Sequence, residues 1–107
     1  MVTAIVRFPI PDDVSPAGCA AAFRATAEGF VDVPGLIRKY SLTNADASEA
    51  VSVDLWETRE QAEAFYDEHY RRSVRAASGG ADATITIYDT AVVVDNAAGE
   101  VTPGESE

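Results

Sequence analysis

The close alternation of strand-like and helix-like patterns, with little sequence between them, most constrains what this chain can fold into. The opening VTAIVRF (residues 2–8) is rich in β-branched residues and is stopped by PIPDD with its two prolines. Ser15 then precedes Pro16, a favoured N-cap before a favoured first helical residue. Cys19, Ala20, Phe23, Ala27, Phe30 and Val31 recur at helical spacing, which predicts a helix from Pro16 to Phe30 ahead of the Pro34-Gly35 turn. LIRKYSLTN (36–44) and AVSVDLW (50–56) flank the polar turn ADASE and predict a β-hairpin. Thr58 with Gln61 three residues later is a capping-box signature. It predicts a second helix through REQAEAFYDEHYRRSVRAA, ending at Gly79-Gly80. ADATITIYDTAVVVD (81–95) reads as one long final strand.

The order β-α-β-β-α-β with such short connections predicts an α+β, ferredoxin-like sandwich: a four-stranded antiparallel sheet with both helices on one face. At 107 residues the chain reads as one domain, expected over residues 1–95. The remaining NAAGEVTPGESE (96–107) reads as a mobile acidic tail. Strands one and four carry apolar residues on both parities: Val2, Ala4, Val6 and Phe8 against Ile5, and Ile85 and Ile87 against Tyr88, Val92 and Val94. A sheet with one wetted face would not. The uncovered patch predicts a homodimer through the sheet faces.

A formal net charge of -10 argues against nucleic acid, whose backbone needs clustered Lys and Arg. Arg71, Arg72 and Arg75 follow Asp67 and Glu68 on the same predicted helix, where i to i+4 pairing accounts for them. No apolar run approaches the ~20 residues of a spanning helix, and MVTAIVRFPIPDD lacks the pattern of an export signal, so a cytoplasmic, membrane-free protein is expected. Cys19 in GCAAAF reads as a small buried apolar residue. A single His and a single Cys cannot build a zinc site or an iron triad within one chain, so no metal is expected. There is no G-x-G-x-x-G, P-loop or G-x-S-x-G, and NADASE fails as a calcium loop because Leu55 stands where Glu is required.

Chemistry is then sought on the third strand and second helix. Strand alternation separates Val51, Val53 and Leu55 from Ser52, Asp54 and Trp56. The apolar set is expected against the helices, leaving Ser52, Asp54 and Trp56 to face a pocket between the two sheets of the dimer. On the helix, Ala62, Phe65, Tyr66, His69, Tyr70 and Ser73 fall in one inward arc. Trp56 is accordingly expected as pocket lining and His69 as core or rim, meeting only near the strand end.

PGLIRKYSLTNADASEAVSVDLWETREQAEAFYDEHY resembles the dimeric α+β barrel proteins, in particular the small monooxygenases related to the antibiotic biosynthesis monooxygenases. The likeness rests on the P-G-L opening of the second strand, a third strand ending in an aromatic residue before a capped helix, the Ala62 to Tyr66 pattern, and His69. It implies oxidation of a small aromatic or phenolic substrate, polyketide-like or quinol, by dioxygen without a cofactor. On that reading Trp56 stacks on the substrate, Arg38 or Tyr40 contacts its oxygens, and His69 or Asp54 accepts the phenolic proton. Ser52 and Tyr66 complete the binding set. Strand one lacks the Asn, and the second helix the Trp, of haem-degrading members; the Asn that accompanies Trp on strand three of polyketide oxidases is also absent. The alternatives are a non-catalytic homodimer that binds a small molecule, and a purely structural dimer in which Asp54 pairs with Arg7 or Arg38 and Trp56 and Tyr40 fill the pocket.

Overall fold

The computed structural model describes residues 1–104. Its elements are β1 (Val2–Pro9), α1 (Pro16–Thr26) continued by one 3-10 turn (Ala27–Phe30), β2 (Leu36–Thr43), β3 (Glu49–Trp56), α2 (Arg59–Phe65), α3 (Glu68–Ala77), β4 (Thr84–Asp89), β5 (Val92–Asp95) and β6 (Glu100–Pro103). The main sheet is antiparallel in the order β2-β3-β1-β4. This is the ferredoxin-like arrangement.

Local chemistry starts the helices where the sequence predicts. Ser15 Oγ accepts the Gly18 N–H at 3.0 Å, and Thr58 Oγ1 accepts the Gln61 N–H at 3.1 Å. The expected second helix is interrupted. Tyr66 leaves helical geometry at φ -84°, ψ 52°, and Asp67 caps a new helix by accepting the Tyr70 N–H at 2.9 Å. Between Pro34 and β2, Gly35 takes φ +83°, and a Cβ there would overlap the Gln61 side chain. The turn thus fits closely under the start of α2.

Two further expectations change. The single final strand breaks at Thr90-Ala91, where the Thr90 N–H turns to the Met1 carbonyl at 3.0 Å and the Gly104 N–H to the Ala91 carbonyl at 2.9 Å. Within the stretch read as a tail from residue 96, Glu100–Pro103 pairs with Val92–Asp95 as a separate two-stranded hairpin. Positions 105–107 lie outside the described residues.

The register decides which face of the sheet is core. Val2 pairs with Trp56, Ala4 with Asp54 and Val6 with Ser52, so these six residues share one face. That face lies under α2 and α3, and Val2, Ala4, Val6 and Trp56 form the main core with Ala62 and Tyr66. The other face carries Thr3, Ile5 and Arg7 beside Leu55, Val53 and Val51, with Arg38 and Tyr40 of β2 alongside. Tyr40, Leu42 and Tyr88 on it are about half exposed, at 50%, 44% and 54%. The expected orientation of β3 is therefore inverted: Val51, Val53 and Leu55 face outward, and Ser52, Asp54 and Trp56 face the helices.

Candidate functional site

On the helix side, the sheet, α1 with its 3-10 turn, and α3 enclose a cleft of about 490 Å³. It exists because α1 (PAGCAAAFRAT) is made mostly of small residues, and only Cys19 is buried along its length. Such a helix cannot fill the space beneath it. Phe30, Phe65, Tyr70 and Phe23 supply aromatic wall, Lys39, Ser41 and Ser52 form part of the floor, and His69 lies at the margin on α3. The size and the apolar walls with few polar groups are those of a small-molecule site.

Beneath the floor lies a buried polar chain. Trp56 Nε1 donates to Tyr66 Oη at 3.0 Å, and Tyr66 Oη donates to Asp54 Oδ2 at 2.5 Å. Ser52 Oγ donates to Asp54 Oδ1 at 2.5 Å, and Lys39 Nζ reaches Ser52 Oγ at 2.7 Å and Asp54 Oδ1 at 3.3 Å. Asp54 is 1% exposed, and every donor in the chain leads to it. A carboxylate so placed is tolerable because it is both paired and fully hydrogen-bonded. Burial, reinforced by the bond to Asp54, raises the Tyr66 phenol far above the ordinary tyrosine range. Burial also raises Tyr70, with the Asp54 charge adding to it. The helix break at Tyr66 has its counterpart here, since the ring lies in the core with its hydroxyl on Asp54.

The expected site residues divide into three groups. Ser52 and His69 line the cleft. Asp54, Trp56 and Tyr66 lie behind it in the buried chain, so Trp56, 0% exposed, is core and not lining. Its ring packs against Phe65 at 5.2 Å and edge-on to Tyr66 at 5.8 Å. His69, expected as core or rim, is exposed at the rim. Arg38 and Tyr40 are on the opposite face of the sheet, in a shallower depression that the β5-β6 hairpin borders. There Arg38 pairs with Asp95 at 2.6 Å. The cationic partner of the Asp54 carboxylate is neither Arg7 nor Arg38 but Lys39, its cross-strand neighbour in the β2-β3 register.

Lys39, Phe30 and Tyr70 are the site residues that sequence reasoning missed. A signal for the first was available: Lys39 is the only lysine in the chain, and alternation along LIRKYSLT sets it and Ser41 apart from Arg38 and Tyr40. Among the described residues no group of three His, Cys, Asp or Glu side chains could hold a metal ion. Nor is any helix long and apolar enough to cross a membrane.

No family model matches the sequence, and no curated protein matches it. Solved structures do match. A monooxygenase from the ActVA-Orf6 gene of Streptomyces coelicolor, in complex with nanaomycin D, is 18% identical over 81% of this chain and 84% of that one, with a TM-score of 0.58. A protein from Nitrosomonas europaea described as an antibiotic biosynthesis monooxygenase is 25% identical over 81% of this chain and 86% of that one, with a TM-score of 0.60. SnoaB, a cofactor-independent oxygenase from Streptomyces nogalater, is 20% identical over 81% and 89%, with a TM-score of 0.57. The chain has the protomer fold of the dimeric α+β barrel superfamily, in the form shared by the antibiotic biosynthesis monooxygenases.

Proposed function

We propose that the protein is a cofactor-independent monooxygenase that oxidises a small aromatic or phenolic compound, polyketide-like or quinol, with dioxygen. The observation that carries this reading is the aromatic-walled cleft of about 490 Å³ with a histidine at its margin, in a fold whose solved neighbours include monooxygenases. His69 accepts the phenolic proton as the substrate enters. The resulting anion is electron-rich enough to pass an electron to dioxygen, and the apolar walls exclude water from the radical pair. For an anthrone-type substrate the balance closes without a reductant. One oxygen atom replaces the two hydrogens of the ring methylene as a carbonyl, and the other leaves as water with those hydrogens.

The working unit in this reading is a cytoplasmic homodimer. Its support is the outward sheet face, where Val51, Val53 and Leu55 lie beside half-exposed Tyr40. A monomer in sedimentation at micromolar concentration would refute the dimer. Oxygen uptake with a panel of hydroquinones and anthrones, on metal-free protein, tests the activity. A second reading, a homodimer that binds a small molecule without turning it over, is favoured by the absence of any specific catalytic motif from the sequence. Saturable binding across the panel with no oxygen uptake would establish it instead.

A further inference from the structure

We propose that Lys39 is the anion-holding residue of the cleft, so that the ligand binds through one ionised oxygen placed on the Lys39 ammonium. Lys39 is the only lysine in the chain and, apart from His69 at the margin, the only basic residue lining the cleft among the described residues. Its side chain is only 14% exposed, although a lysine on an edge strand could reach solvent freely. Nζ is held from three directions: by Ser52 Oγ at 2.7 Å, by Asp54 Oδ1 at 3.3 Å, and by the Phe30 ring, whose centroid is 4.5 Å away.

Asp54 compensates this charge only in part. Its two oxygens already accept the Ser52 and Tyr66 hydroxyls at 2.5 Å each, and the contact with Lys39 is the longest of the three. The carboxylate therefore fixes the ammonium in place without closing tightly on it. The contact to Phe30 is the weakest of the three and leaves the ammonium a donor for a ligand oxygen. An anionic oxygen beside Lys39 would set its ring against the aromatic wall that Phe30 and Phe65 form together, their centroids 6.1 Å apart in tilted contact. Neutral ethers of the same shape would lose the ion pair and keep only the stacking. The ligand class follows: a planar aromatic bearing one acidic hydroxyl, bound as its conjugate base.

This inference takes the same cleft as the proposed oxygenase reading but does not require turnover. The test is calorimetric binding of two probes of matched shape, 4-nitrophenol above its ionisation pH and 4-nitroanisole, to wild-type protein, Lys39→Arg and Lys39→Met. Because removing Lys39 leaves Asp54 without a counter-charge, Lys39→Met/Asp54→Asn serves as the neutral variant if the single one does not fold. Wild-type protein is expected to favour the phenolate by roughly tenfold or more, a preference that Lys39→Arg keeps in part and the neutral variant loses. Nitroanisole affinity should stay within about twofold throughout. Equal affinity of wild type for the two probes, or failure to bind either, overturns the assignment without reference to any variant. So does a phenolate preference that survives in the neutral variant. If the preference and its dependence on Lys39 hold while no hydroquinone or anthrone supports oxygen uptake, the oxygenase reading fails and the Lys39 assignment stands.

Discussion

Replacing Tyr66 by Phe removes one oxygen atom from the core and orphans two buried groups. Tyr66 Oη accepts from Trp56 Nε1 at 3.0 Å and donates to Asp54 Oδ2 at 2.5 Å, and the residue is 5% exposed. A hydrogen bond to a charged acceptor contributes about 1.5 to 3 kcal/mol, and leaving a buried indole N–H unsatisfied costs about 1 to 3 kcal/mol more. The ring itself is retained, so no cavity term of consequence is added. The expected loss is roughly 3 to 5 kcal/mol, a large share of a stability of about 5 to 15 kcal/mol for a domain of ordinary size. Urea unfolding at fixed protein concentration, followed by the fluorescence of Trp56, the sole tryptophan, measures it directly. Melting should fall by roughly 12 °C or more, at about 4 to 8 °C per kcal/mol. Introducing Tyr66→Phe into a Trp56→Phe background, with unfolding read by far-ultraviolet circular dichroism because no tryptophan remains, should cost less than in wild type, since the indole donor is already gone. A loss below about 1 kcal/mol with an unchanged m-value would refute the reasoning, since it would mean that water or a shifted side chain satisfies both groups.

Trp56→Ala should lower stability by about 3 to 5 kcal/mol, as expected for a core aromatic, whereas His69→Ala at the cleft rim should change it by less than about 0.5 kcal/mol and abolish turnover in the oxygen-uptake assay. Equal effects of the two on melting would place His69 in the core after all. The tyrosinate absorbance of the folded protein should rise late. The Tyr66 and Tyr70 phenols are both raised by burial and by Asp54, so the stability they contribute is fully present below the ordinary value of about 10 and is lost as the pH climbs above it. Tyr66→Phe and Tyr70→Phe should each remove part of that late rise. Gly35→Ala should destabilise by about 1 to 2 kcal/mol from its positive φ alone, with more from the clash with Gln61. Gln61→Ala should recover most of the second part but not all, because the Cβ that alanine keeps would still lie 2.9 Å from the new methyl; thermal melts of the two variants and their combination will read this.

Much of the fold follows from the sequence because it is written locally. Caps at Ser15 and Thr58, the prolines at the end of β1 and just beyond it, the turn at Pro34-Gly35 and the Gly79-Gly80 stop each act within a few residues, and the order of elements then leaves one economical packing. Alternation likewise separates Ser52, Asp54 and Trp56 from Val51, Val53 and Leu55 without reference to anything distant. Which of those two faces turns inward is not a local property. Hydropathy favours the valines and leucine, yet Trp56 brings the largest apolar area, and the cost of burying Asp54 depends on partners that stand at Lys39 in β2 and Tyr66 after α2. Register with Val2, Ala4 and Val6 brings these groups together, and only then does a buried carboxylate become cheaper than an exposed tryptophan. The cleft has the same origin, because the alanine-rich α1 is a legible helix, but the space it fails to fill exists only once it lies across the sheet.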